Sequence, residues 1–114
     1  MKIDKANVFG TEYKINMVEH PDEDLFYSHA DGRVNYEDKI ITVWDGRKDS
    51  KRTLIHELIH AHLYESGMTS KAFDEDAVDY ITTMFQRIEE ILREEKDETS
   101  GEVRRSEEED QNRI

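Results

Sequence analysis

The stretch Thr53-Leu54-Ile55-His56-Glu57-Leu58-Ile59-His60-Ala61-His62-Leu63-Tyr64 constrains this chain more than any other. It reads as a helix over about residues 51–66, with Asp49 or Ser50 able to cap its start and Gly67 suited to the position past its end. Two histidines four apart lie one turn above each other on a single face, so two imidazoles can meet one metal ion. Counting about 100° per residue from Leu54, the side chains of Leu54, Ile55, Leu58, Ile59 and Leu63 fill an arc from about 0° to 180°. By the same count His56 falls near about 200°, His60 near about 240° and Glu57 near about 300°. The histidine pair therefore borders the apolar arc, as ligands at the wall of a cleft should.

His-Glu-x-x-His on a helix is the metallopeptidase signature, with zinc as the expected ion and Glu57 as general base toward a water. The competing reading is two surface histidines with an acidic neighbour. His62 falls near about 80° on the wheel, inside the apolar arc, and is read as a core or supporting histidine. Leu63 and Ser66 stand where a metzincin has Gly and His. The third ligand must come from elsewhere in the chain.

Composition narrows the choices. The 114 residues allow one domain, and a 35% apolar, 39% charged chain has a small core to which a metal could add stability. No cysteine is present, which excludes disulfides and thiolate ligands, leaves His and carboxylate donors, and points to a reducing compartment. Met1-Lys2-Ile3-Asp4-Lys5 opens no apolar segment for a signal peptide or membrane span, so the expected location is cytoplasmic. Net charge is −12, with 17 acidic and 11 basic residues over 1–88 and 11 acidic and 5 basic over 89–114. Such a chain should be repelled by nucleic acid and anionic lipid, so neither is an expected partner. The same charge could let it imitate nucleic acid before a basic host protein, a rival function, although a solvated tail is the commoner cause.

Along the chain, Gly10-Thr11 looks like a turn between a short strand and a longer one, in which Tyr13, Ile15 and Met17 alternate with polar residues. His20-Pro21-Asp22 breaks the pattern, and His20 and His29 read as surface residues. Residues 25–46 read as extended segments and a hairpin: Leu25–Ala30, Gly32–Tyr36, a turn at Glu37-Asp38, and the strand Lys39–Trp44. In zinc peptidases the strand before the metal helix often lies at the cleft edge and pairs with an extended peptide, which makes Trp44 a candidate substrate contact. Met68-Thr69-Ser70 is a short connection.

A second helix is predicted from about Lys71 to about Leu92, with Phe73, Ala77, Ile81, Met84, Phe85, Ile88 and Leu92 as a core stripe. Counting from Phe73, Glu75 falls near about 200° and Asp79 near about 240°, bordering that stripe as the histidines border theirs. Two antiparallel helices packed by those arcs would bring Glu75 toward His56 and His60. Acidic residues also suit a helix N-terminus on dipole grounds alone. Beyond Leu92 little apolar remains, and residues 93–114 read as a fraying helix end and a disordered acidic tail.

Leu54-Ile55-His56-Glu57-Leu58-Ile59-His60 after a hairpin, followed by Glu75-x-x-Val78-Asp79-x-Ile81-Thr82, resembles the ImmA/IrrE-like metallopeptidases, especially the small forms encoded by bacteriophages and prophages. The resemblance covers about residues 30–92. It implies that Glu75 completes the zinc site and that Asp79 orients a ligand histidine through its other ring nitrogen. Val78 replaces the family's alanine, and the sequence given reads without the helix before the sheet and the downstream segment expected of longer members.

The expected architecture is therefore α+β: a minimal zincin-like domain over residues 1–92, with a short antiparallel sheet, a metal helix and a long C-terminal helix. His56, His60 and Glu75 would hold Zn²⁺, Glu57 would act as base, and Asp79 would support the ligands. The expected activity is intracellular endopeptidase, in a bacterial host if phage-encoded, with a protein substrate or regulatory partner such as a phage repressor. A zinc-binding regulatory module without catalysis is the alternative that keeps the metal. The purified chain should carry one equivalent of zinc by elemental analysis and His60→Ala should lose it; equal metal in both would end the assignment.

Overall fold

A computed structural model of the chain describes residues 3–99, in the order β1 (Lys5–Val8), β2 (Thr11–Val18), α1 (Glu23–Ser28), β3 (Gly32–Asn35), β4 (Ile40–Trp44), α2 (Ser50–Glu65), α3 (Thr69–Ala72) and α4 (Glu75–Thr99). This is a mixed α+β arrangement. The chain divides into two compact units, Met1–Thr82 and Thr83–Ile114, and the candidate site lies wholly in the first.

The four strands form one sheet in the order β1-β2-β4-β3. Asn7 accepts from the Gly10 amide at 2.7 Å, and Phe9 and Gly10 both take positive φ, which gives β1 and β2 a tight two-residue turn. β1 pairs antiparallel with β2, and β3 with β4. The central pair, β2 with β4, is parallel, with Ile15 opposite Ile41 and Met17 opposite Val43. The expected all-antiparallel sheet is therefore corrected. Residues 19–39 separate the two strands and include α1 and β3, which is long enough for the crossover a parallel pair requires.

Leu25–Ser28, expected to be extended, belongs to helix α1. The Asp22 carboxylate accepts from the Leu25 amide at 3.0 Å and caps the helix, while two bonds from Arg33 (2.8 and 2.7 Å) hold the same carboxylate. Leu25 is buried, and His29 in the left-handed region ends the helix. A six-residue helix with one buried side chain leaves little periodicity to read.

Helix α2 packs on the sheet face that carries Val8, Tyr13, Ile15, Ile41 and Val43, adding Leu54 and Ala61 to the core. Each buried Val, Leu or Ile contributes about 1.5–3 kcal/mol. The buried line of α2 is Leu54, Glu57, His60 and Ala61, while Ile55, Ile59 and Leu63 are half-buried. The helix is thus rotated from its apolar arc, and a glutamate points at the sheet. Gly32 makes room for it: a Cβ there would lie 2.7 Å from Thr53 Cγ2, 3.0 Å from the Thr42 carbonyl oxygen and 3.2 Å from Glu57 Cγ.

α2 ends in a Schellman motif, with Gly67 at φ +86°, its amide donating to the Tyr64 carbonyl and that of Met68 to Leu63. The chain does not then enter one long helix. α3 covers Thr69–Ala72, and Asp74 starts α4 by accepting from the Ala77 amide at 3.1 Å. Within the first unit, Val78 and Thr82 are buried, Ala77 and Ile81 half-buried, and Phe73 is exposed; in the second, Met84, Phe85, Ile88 and Leu92 are exposed. The expected continuous core stripe is corrected accordingly: Phe73 falls in the break before α4, and of α4 the buried side chains in the first unit are Val78 and Thr82. α4 runs on to Thr99, so residues 93–99 of the expected fraying end and tail are helical; the rest of that tail, residues 100–114, lies outside the described residues.

Glu65 ties the end of α2 to the sheet. Its carboxylate accepts from Tyr13 Oη (2.6 Å), Lys39 Nζ (2.7 Å) and Thr11 Oγ1 (3.2 Å), with only 13% of the side chain exposed. The bonds from Lys39 and then Tyr13 hold its carboxyl below the usual range, and burial foremost, then Glu65, pushes the Tyr13 phenol up. Glu65→Ala strands the buried Tyr13 hydroxyl and should cost about 1–3 kcal/mol in urea denaturation. Because the folded-state pKa is the lower one, this stabilisation is present above the unfolded value of about 4.3 and lost as pH falls through the folded value. The difference between wild type and Glu65→Ala should accordingly narrow in acid.

Candidate metal centre

Helix α2 presents His56 and His60 one turn apart with their Nε2 atoms 3.1 Å from each other. The Glu75 carboxylate, from the first turn of α4, closes the triangle: Oε2 is 3.1 Å from His56 Nε2 and Oε1 is 2.9 Å from His60 Nε2. A tetrahedral zinc with bonds of about 2.0–2.1 Å has ligand-to-ligand edges of about 3.3–3.4 Å. The gaps fall a few tenths of an ångström short of that, within reach of small side-chain shifts. Glu75 is 68% exposed, so the site opens to solvent.

The other ring nitrogens determine what the Nε2 atoms are. His60 Nδ1 meets the Ala72 carbonyl, which can only accept, so Nδ1 carries the proton. That carbonyl is available because α3 ends at Ala72, where helix carbonyls lose their intrahelical partners. His56 Nδ1 lies 3.0 Å from Asp79 Oδ1 and donates to it in the same way. With Nδ1 so engaged, each ring turns its Nε2 inward, toward the other ring and toward the Glu75 carboxylate. Two ring nitrogens and a carboxylate gathered in this way form a donor set that could hold zinc.

Glu57 follows His56 in sequence but points into the interior. It is 7% exposed, and burial, followed by the charge of Glu75, raises its pKa to about 8. His56, Glu57 and His60 also place ligand-capable atoms within 4.8 Å of one another, as do His56, Glu75 and Asp79. These residues line a cleft of about 670 Å³ whose lining also includes Gly32, Arg33 and Val34 of the edge strand β3 and Tyr36 after it.

The structure thus brings together His56, Glu57, His60, Glu75 and Asp79. It does not bring Trp44 to them. β4 is an interior strand, Ile41 and Val43 face α2, and strand alternation sends Trp44 to the opposite face. There its indole donates to the Glu19 carbonyl at 3.0 Å and lies 4.8 Å from the Arg47 guanidinium. His62 is likewise apart, donating to the Leu58 carbonyl with its ring edge-on to Phe9.

Sequence reasoning missed four contributors: Gly32, the Ala72 carbonyl, Tyr36 and Phe73. Tyr36 lines the cleft, stacks on Tyr64 at 4.4 Å and meets Phe73 edge-on at 5.5 Å. Its phenol is raised to about 12 by burial and then by the charges of Glu57 and Glu75. A glycine opening a strand and a tyrosine before a turn were visible signals, but neither names a cleft.

Comparison of the chain with protein-family models, with curated proteins and with solved structures finds no match in any of the three. The resemblance to ImmA/IrrE-like metallopeptidases is carried by the quoted residues alone. Asp79→Ala frees His56 Nδ1 and should weaken zinc binding by about 10–100-fold in a chelator competition titration. Unchanged affinity would show that Asp79 does not orient His56.

Proposed function

We propose that this chain is a zinc-dependent endopeptidase, its first unit a minimal zincin-like domain akin to the ImmA/IrrE-like metallopeptidases. One observation carries the reading: two imidazole Nε2 atoms and the Glu75 carboxylate gather together while a buried glutamate stands beside them. Zinc bound there by His56, His60 and Glu75 supplies Lewis acidity and lowers the pKa of a water toward about 7. Glu57 takes the proton from the attacking water and hands it to the departing amine. Its dry surroundings raise its affinity for that proton, as the elevated pKa expresses.

Substrate would enter as an extended segment. β3 is an edge strand, and Gly32, Arg33 and Val34 line the cleft, so a peptide could add to it as a further strand. That assigns to β3 the part the sequence had suggested for β4. No described helix is long and apolar enough to cross a membrane. On this reading the enzyme works in the cytoplasm, in a bacterial host if phage-encoded, on a protein substrate such as a regulator.

The test is zinc content and cleavage of a mixed peptide library, read by mass spectrometry, for wild type and Glu57→Gln. The variant should keep its zinc and lose cleavage by about 10²–10⁴-fold. Cleavage retained in Glu57→Gln would remove Glu57 as base. Stoichiometric zinc with no peptide cut by wild type would leave a metal-holding domain without catalysis.

A further inference from the structure

We propose that the Tyr36 hydroxyl is the hydrogen-bond donor that meets the substrate carbonyl oxygen as it takes up negative charge. The inference rests on the peptidase reading above and adds to it a residue outside the metal motif.

Tyr64 and Tyr80 are the tyrosines that the helical segments around the site would suggest for this task. Tyr80 is exposed, and neither residue is among those lining the cleft. Tyr64 instead serves as a platform. It lies one turn beyond His60, so His56, His60 and Tyr64 run along one face of α2 at i, i+4 and i+8. Its ring stacks beneath Tyr36 with 21° between the planes and carries the Lys39 ammonium 5.0 Å from its centroid. Lys39 is held in turn by Glu65, on the same helix. The helix that positions the imidazoles therefore also positions the surface on which Tyr36 rests.

Tyr36 is pinned without use of its hydroxyl. It opens the β3–β4 turn, where Asn35 Oδ1 accepts from the Asp38 amide at 2.9 Å, and Phe73 meets its ring at 77°. The hydroxyl itself makes no hydrogen bond among the described residues. A half-buried phenol with a fixed ring and an unengaged O–H, on the cleft wall, is arranged to donate to something that enters the cleft.

The chemistry balances without further reagents. Water oxygen bonds to the carbonyl carbon, its proton passes to Glu57, and the carbonyl π pair moves onto oxygen, where Tyr36 donates while keeping its own proton. As the C–N bond breaks, the amine leaves with the proton from Glu57.

Tyr36→Phe preserves the stack and removes only the donor. The zinc-loaded variant should keep the metal content and melting temperature of wild type. Its kcat on a cleaved library peptide should fall about 10²-fold with KM within a few-fold. A phosphinic analogue of that peptide, which mimics the tetrahedral state, should bind about 10²-fold more weakly by calorimetry. Equal kcat and equal analogue affinity would overturn the proposal, as would a raised KM at unchanged kcat, which marks a ground-state contact. A wild type that neither cuts peptides nor binds the phosphinic analogue would instead defeat the peptidase reading, and this inference with it.

Discussion

The two hydrogen bonds made on the outer side of the imidazoles govern the chemistry of this molecule. Donation from His60 Nδ1 to Ala72 and from His56 Nδ1 to Asp79 fixes the orientation of both rings. The inner Nε2 atoms are then held 3.1 Å apart with the Glu75 carboxylate against both. The short helix α3 matters for this reason, since its end supplies the carbonyl that orients one of the two rings.

A second constraint acts on the same helix. Leu54 and Ala61 anchor α2 to the sheet, and with the helix so placed Glu57 can only point inward, into space that Gly32 leaves open. Burial of a carboxylate costs stability, and the rise of its pKa to about 8 expresses that cost. Farther along, Glu65 bonds Tyr13, Thr11 and Lys39 and fastens the helix end to the sheet. The two imidazoles, the buried glutamate and the Tyr64 platform are thereby carried on one helix tied to the sheet along its length.

Legibility in the sequence varied with the range of the interaction. The histidine pair was readable because a four-residue spacing on a helix is local geometry, and the approach of Glu75 followed from two adjoining helices. The hairpin β3–β4 and the Gly67 terminus were equally local. The pairing of β2 with β4 was not, since alternating burial looks the same in parallel and antiparallel strands. The parity of Ile41, Val43 and Trp44 was visible, but the choice between the two faces of the strand was not, and that choice removed Trp44 from the cleft. The Phe73–Asp74 break was obscured by a run of good helix formers on both sides.

What the sequence determined by itself is the set of donors and their spacing: two imidazoles per turn of one helix, an adjacent glutamate, and acidic residues at the start of the next. Helical periodicity alone suffices for that. Only the tertiary structure decided which way the two imidazoles turn, that Glu57 is dry, and that Tyr36 lines the cleft. Each of these depends on atoms distant in the chain, the Ala72 carbonyl, the bare Cα of Gly32 and the ring of Tyr64, brought within contact range by packing rather than by any local preference.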